Sequence, residues 1–342
     1  MSCTLTHTTI AGMQAFYLEN NLLKVGVLAG RGCDIFEFKY KPKEIDFLLH
    51  LSKGIRNPQT DFSQVRNTAT QFEDYYYGGW QVCLPNSPAF TYRGAALGQH
   101  GEVALIPWQV TDTTCSDEAV SIKLYTEPIR VPIRIEREMT IRKDTSELEI
   151  KERITNRGGT SLDIMWGQHI AFGLPFLEEG VSIETNALTL KTEPLMPDHH
   201  RFQRNLVYEW PQAKNKKGSV DDARFVPPKG KEQYSDLCYL EGYGKNAFYS
   251  IKNKVRNVGF GLMWNGELFK TLWMWHELNA TKDFPWWGNC YTVALEPWTS
   301  PWTNDPLEAI NRKEWLILEA GQKIETTLRA KAFEDNFNPI WL

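Results

Sequence analysis

Residues 133–154 read IRIEREMTIRKDTSELEIKERI. Ile133, Ile135, Met139 and Ile141 alternate with polar residues, and Leu148, Ile150 and Ile154 resume the period after Lys143-Asp144-Thr145-Ser146. A period of two sends successive side chains to opposite faces of an extended strand. Two such runs joined by a short polar turn read as antiparallel strands with one face on a core. The pattern continues outward in both directions. Val120, Ile122 and Leu124 precede it, and Ile324, Thr326, Leu328, Ala330 and Ala332 repeat it near the end of the chain. Asn156-Arg157-Gly158-Gly159 and Ala320-Gly321 supply turns between such runs.

Helix signals are few. Asn304-Asp305-Pro306-Leu307-Glu308 carries an Asp cap, a Pro at the first helical position and a Glu two residues later, which predicts a short helix ending near Asn311. Residues 212–233, QAKNKKGSVDDARFVPPKGKEQ, are polar and Lys-rich with two prolines and read as a long surface loop or insertion. No composition shift marks a boundary, and no repeat of 20–50 residues occurs. The expectation is one all-β domain over residues 1–342, a large antiparallel β-sandwich of two facing sheets.

The 342 residues are enough to bury a large core without disulfides or metals. A net charge of −4 offers no basic excess to follow a phosphate backbone, which argues against nucleic acid as a partner. The hydrophobic fraction of 42% beside 23% charged residues is that of a folded globule. No run of 18 apolar residues appears, so no membrane span or membrane partner is expected. The six cysteines include no C-x-x-C pair and read as free thiols. The first residues, MSCTLTHTTIAG, lack a basic segment followed by an apolar one, and a cytoplasmic location is expected.

Tryptophan is the unusual residue. Eight of the thirteen (Trp264, Trp273, Trp275, Trp286, Trp287, Trp298, Trp302 and Trp315) fall within 52 residues. An indole serves an aromatic β core, or it offers a flat wall for the C–H face of a sugar plus one N–H donor. His100, in Gly98-Gln99-His100-Gly101, and His169, in WGQHIAFG, each have glycine close by. Each is either a satisfied structural histidine or one that a ligand approaches closely. His199-His200, after Pro197-Asp198, read as a loop pair. Glu296 ends the apolar run Tyr291–Leu295 and precedes Pro297-Trp298. Such a carboxylate either turns to solvent or is buried, and burial raises its pKa toward that of a useful general base. Trp298 stands two residues on, the spacing that shares a strand face. His100, His169 and Glu296 are also chemically suited to hold a metal, which their sequence separations leave open.

Four segments in order carry a resemblance: Gly78-Gly79-Trp80-Gln81-Val82-Cys83-Leu84-Pro85, His100-Gly101, His169 ahead of Phe172-Gly173, and Glu296-Pro297. This order resembles the aldose 1-epimerase, or galactose mutarotase-like, family, and the ending Trp315–Ala332 through Leu318-Glu319-Ala320-Gly321 is similar to that family's close. The segment Ala29-Gly30-Arg31-Gly32-Cys33-Asp34-Ile35 looks like a divergent branch. The resemblance implies a β-sandwich of the supersandwich type. It implies that His169 is the acid, Glu296 the base, and His100 a contact to the sugar ring; Asp236 is the match for a sugar-binding Asp. Ala104 stands where the sugar-phosphate branch has an Arg, which removes a forked donor suited to phosphate and tilts the reading toward unphosphorylated sugars, with Arg93 or Arg31 as substitutes. Ile170 replaces the Pro that commonly follows the second His.

Together these imply a cofactor-independent sugar 1-epimerase without a metal, with a small carbohydrate as partner and a homodimer compatible with the chain. Glu296 takes the C1 hydroxyl proton and His169, as imidazolium, protonates the ring oxygen. The expected substrate contacts are His100, Asp236, Arg93 and Trp298. The alternatives are a non-catalytic carbohydrate-binding protein and a metal-dependent sugar isomerase or lyase.

Overall fold

A computed structural model describes residues 2–61 and 67–340. Two antiparallel sheets dominate, one of twelve strands and one of nine. The aliphatic alternation read from the sequence forms the inner face of the nine-stranded sheet. Val120, Ile122, Ile135, Met139, Ile141, Leu148, Ile150, Ile154, Leu328 and Ala330 are fully buried there. Val25, Val27, Ile35, Phe38, Trp80, Ile170, Phe172, Leu272, Met274 and Leu295 oppose them from the twelve-stranded sheet, and one core cluster joins both sets.

The alternation has two charged members. Arg137 takes the inward position between Ile135 and Met139, and Glu152 the one between Ile150 and Ile154. Both are buried and face each other across paired strands, Arg137 Nε lying 3.0 Å from Glu152 Oε1. Gln168 donates to Glu152 Oε2 at 2.8 Å and accepts from Trp80 Nε1 at 2.8 Å, and Arg137 donates to the carbonyl of Cys33 at 3.0 Å. A buried charge persists only when paired and hydrogen-bonded, and this network meets that condition while tying the two sheets together.

The helix near the chain end is present at Pro306–Asn311, and the Asp305 side chain accepts from Glu308 N. The segment 212–233 is more structured than expected. Gln212–Lys214 pairs with Val220–Asp222 around a turn at Gly218, and Phe225–Val226 adds to the edge of the nine-stranded sheet. Its prolines and lysines hide a small hairpin because three-residue strands carry too short a period to read. Among the described residues, no helix is long and apolar enough to cross a membrane.

Five neighbouring strands of the twelve-stranded sheet position the site. Their order is Trp80–Cys83, Gly167–Phe172, Tyr291–Trp298, Thr271–Leu278 and Ser235–Glu241. Their inner faces supply the core, and their outer faces supply the residues described next.

Candidate active site

The Gly167–Trp298 and Ala171–Ala294 pairs bracket His169 and Glu296 on adjacent antiparallel strands. The same face continues through Trp273, which pairs directly with Glu296, and Trp275, which pairs with Ala294. Leu237 pairs with Trp275 on the next strand. Strand alternation thus lines one face with an imidazole, a carboxyl, two indoles and a leucine. The turn Gly98–Gly101 brings His100 over this face. His100 adopts φ 61° and Gly101 φ 75°, and a Cβ on Gly101 would sit 2.0 Å from the carbonyl oxygen of Leu84. Glycine is required there by both conformation and space.

The result is a cavity of about 210 Å³ lined by residues that include His100, His169, Glu296, Gln99 and Glu73. Its remaining walls are aromatic or aliphatic: Phe72, Tyr76, Leu237, Trp273, Trp275, Trp286 and Trp302. The His100 and His169 rings are 5.3 Å apart, and His169 Nε2 lies 3.6 Å from Glu296 Oε1. Ser87 Oγ lies 3.1 Å from His100 Nδ1. Phe72 presents an edge contact to His100 at 4.5 Å, and Tyr76 one to His169 at 5.1 Å. Phe72 and Tyr76 come from the short helix Gln71–Tyr75 and its C-cap, four residues apart and so on one side.

Burial decides the charges. It pushes Glu296 up to about 8, opposed only in part by the Trp298 indole, which donates to Oε2 at 3.0 Å. It holds His169 down to about 3, and burial followed by His169 itself holds His100 well below the usual imidazole range. At neutral pH these shifts favour a carboxylic acid facing neutral imidazoles. The expectation drawn from the sequence put the proton on His169; desolvation of both partners favours Glu296 instead. The pair still holds one transferable proton.

The other expected contacts lie elsewhere. Trp298 shares the face of Glu296, but it does not wall the cavity. It is fully buried, stacked on Trp273 at 4.4 Å and fitted over Gly167, where a Cβ would come within 2.2 Å of the indole. Asp236 alternates with Leu237 and so faces away, accepting from the backbone N–H of Arg201, Phe202 and Leu237. Arg93 sits half-exposed, donating to the Ser161 carbonyl and to Asp163. Arg31 is buried against Asp34 and the carbonyls of Arg56 and Tyr75. Neither arginine reaches the cavity. His199 and His200 stay in a half-buried turn.

The sequence reading missed Phe72, Glu73, Tyr76, Gln99 and Leu237. Phe72 and Tyr76 carried an i, i+4 spacing inside a segment too short to stand out as a helix. A larger groove of about 810 Å³ crosses the outer face of the nine-stranded sheet. Its lining holds charges paired across strands, such as Arg153 with Glu136 and Glu325, and includes no His or Cys. The buried imidazoles and the carboxyl of Glu296 line the smaller cavity instead. Among the described residues, no group of three or more His, Cys, Asp or Glu is arranged to hold a metal ion.

The model of a family described as a domain of unknown function, DUF4432, matches residues 10–331. The chain belongs to this family. None of the curated proteins matches it in sequence. In structure, the DUF4432 chain is similar to a Klebsiella pneumoniae protein provisionally named an aldose 1-epimerase, at a TM-score of 0.76 and 14% identity over 98% of this chain and 85% of that one. It is similar to a galactose mutarotase-like protein from Clostridium acetobutylicum, at 0.65 and 14% over 98% and 99%. It is also similar to a galactose mutarotase related enzyme from Lactobacillus acidophilus, at 0.62 and 15% over 94% and 97%. The fold is the galactose mutarotase-like β-sandwich.

Proposed function

We propose that this chain is a sugar 1-epimerase that interconverts the anomers of an aldose by acid/base ring opening. The observation that carries this reading is the buried His169–Glu296 pair, 3.6 Å apart in a small cavity walled by indoles. The names of the structural neighbours are consistent with it, although fold alone does not fix function.

Burial raises Glu296 and lowers His169, which favours the pair's proton on Glu296. Passing it to His169 Nε2 creates a carboxylate and an imidazolium without changing the total charge. Glu296 then removes the C1 hydroxyl proton as C1=O forms and the C1–ring oxygen bond breaks. His169 gives its proton to the departing ring oxygen. Rotation about C1–C2 and the reverse transfers close the other anomer and restore the pair. Each positioned proton transfer contributes typically 10²–10⁴-fold, roughly. His100, held neutral beside Ser87, is a hydrogen-bond partner for the sugar rather than a second acid.

The test is Glu296→Gln, which keeps the shape and removes the base. Turnover is read by anomeric exchange in NMR, and sugar binding by fluorescence. The expected result is a rate loss of about 10²-fold or more with binding retained. Wild-type turnover in this variant would sink the mechanism. Binding by wild type without turnover would make the protein a carbohydrate-binding one.

A further inference from the structure

Resting on that reading of the site, we infer that Arg31 and Lys53 are positioning residues for the His169–Glu296 pair. They hold the helix Gln71–Tyr75, which packs Phe72 and Tyr76 against the two imidazoles. Arg31 belongs to the segment Ala29–Ile35, to which the mechanism above gives no role.

The helix cannot hold itself. It has five residues, and its N-cap, Thr70, makes no side-chain cap hydrogen bond. Glu73 and Asp74 bring negative charge near its C-terminal end, where the helix dipole favours cations. So short a helix is marginal without tertiary support, and its last carbonyls need partners from elsewhere. Two cations supply them. Lys53 Nζ donates to the carbonyl oxygens of Glu73 at 2.7 Å and Asp74 at 3.4 Å, and Arg31 Nη1 donates to that of Tyr75 at 3.3 Å. The next residue, Tyr76, is already extended. The rings of Phe72 and Tyr76 stack at 5.4 Å, and Phe72 lies 4.5 Å from His100 and 5.6 Å from His169.

Arg31 is fixed in turn. Its Nη1 also donates to the carbonyl of Arg56 at 2.8 Å, and its Nη2 to Asp34 Oδ2 at 3.0 Å in a buried pair. Gly32, between the two, adopts φ 67°, and a Cβ there would sit 2.6 Å from the carbonyl oxygen of Ala104. Gly32 N donates to the carbonyl of Ile106 and Trp108 N to that of Ala29, each at 2.8 Å, which joins the segment to the chain running on from His100. The Cys33 carbonyl accepts from Arg137, whose partner Glu152 holds Gln168 beside His169. Ala29–Ile35 is thus bonded to the supports of the helix, of His100 and of His169. Among the described residues, the titratable groups that contact His169 are Glu296, His100 and Tyr76. Phe72 and Tyr76 keep water from the imidazoles. Desolvation is what separates His169 from Glu296, so water admitted by a loosened helix would raise His169 and lower Glu296.

Two variants test this. Arg31→Lys keeps the charge and loses the planar fork; Lys53→Met keeps the stem and loses the ammonium. Lys53 is half-buried, so its variant decides the matter if Arg31→Lys fails to fold. Asn253→Ala is the control for lost stability, removing buried hydrogen bonds to the Phe176 carbonyl and from Arg256 N. Anomeric exchange on D-galactose and D-glucose gives kcat and KM against pH. NMR titration of the imidazole protons follows His100 and His169 without any sugar. The expected result in both variants is a kcat lower by about 10–10²-fold, with KM rising less because Trp273, Trp275 and Leu237 stay on the sheet. The alkaline limb of the rate moves down in pH, and the imidazoles protonate at higher pH than in wild type. Asn253→Ala lowers the melting temperature and moves none of these. Wild-type kcat, alkaline limb and imidazole titration in Lys53→Met and Arg31→Lys, whatever their melting temperatures, would overturn this inference and leave the epimerase reading standing. Wild type without exchange on any aldose would overturn the epimerase reading, and the imidazole titration would still decide whether Arg31 and Lys53 hold water off the histidines.

Discussion

Burial of the Glu296 carboxyl carries a stability cost that can be measured. Its folded pKa, up to about 8, stands above the ordinary glutamate value of about 4.3. Between those values the folded protein holds a proton that the unfolded chain has released. Stability attached to this group is therefore complete below about pH 4.3 and is lost as pH rises through about 8. Glu296→Gln, neutral throughout, should raise the melting temperature at pH 8, by an amount equivalent to about 1–3 kcal/mol, and leave it unchanged at pH 4. A destabilised variant at pH 8 would mean that the carboxyl is ionised in the fold. The enzyme-dependent rate should fall above about pH 8, where the His169–Glu296 pair loses its one proton. The two placements of that proton give the same pH profile, because the macroscopic values belong to the pair. Trp298 donates to Glu296, which under the proposed mechanism makes it a positioning residue. Its N–H favours the carboxylate, so Trp298→Phe should keep the stack on Trp273 and move the alkaline limb upward, with kcat falling more than KM rises. An unmoved limb would reduce Trp298 to packing.

At the scale of elements, two kinds of charge pair in the nine-stranded sheet make opposite predictions. Arg137 and Glu152 are buried, and removing one leaves the other without its counter-charge. Glu152→Ala should cost about 3–5 kcal/mol in chemical denaturation and should also leave Gln168 Nε2 unpaired beside His169. On the outer face of the same strands, Arg153 and Glu136 are 41% and 28% exposed. Glu136→Ala should change stability by no more than about 1 kcal/mol. Similar costs for the two variants would show that the inner network is not what joins the sheets.

At the scale of the molecule, the tryptophans divide by depth. Trp80, Trp166, Trp264 and Trp298 are fully buried, whereas Trp273, Trp275, Trp286 and Trp302 line the cavity. A sugar that enters should produce a saturable change in intrinsic fluorescence, and Trp275→Phe should remove much of it while Trp264→Phe should not. A response carried by Trp264 would place binding elsewhere.

The sandwich was legible because alternation is local: each inward aliphatic of 133–154 is specified by its own strand's period. His100, His169 and Glu296 were legible as individual candidates for the same reason, each with a distinctive neighbourhood. Their convergence was not, since it depends on the pairing of Gly167–Phe172 with Tyr291–Trp298, strands over a hundred residues apart, and on the His100 turn closing over them. The face of Asp236 and the depth of Trp298 were equally hidden. Alternation says that neighbours point apart, not which side is cavity, and the space above Gly167 exists only once two strands pair. The upward shift of Glu296 and the downward shift of His169 were hidden as well, because desolvation is a property of the closed site and of no single segment.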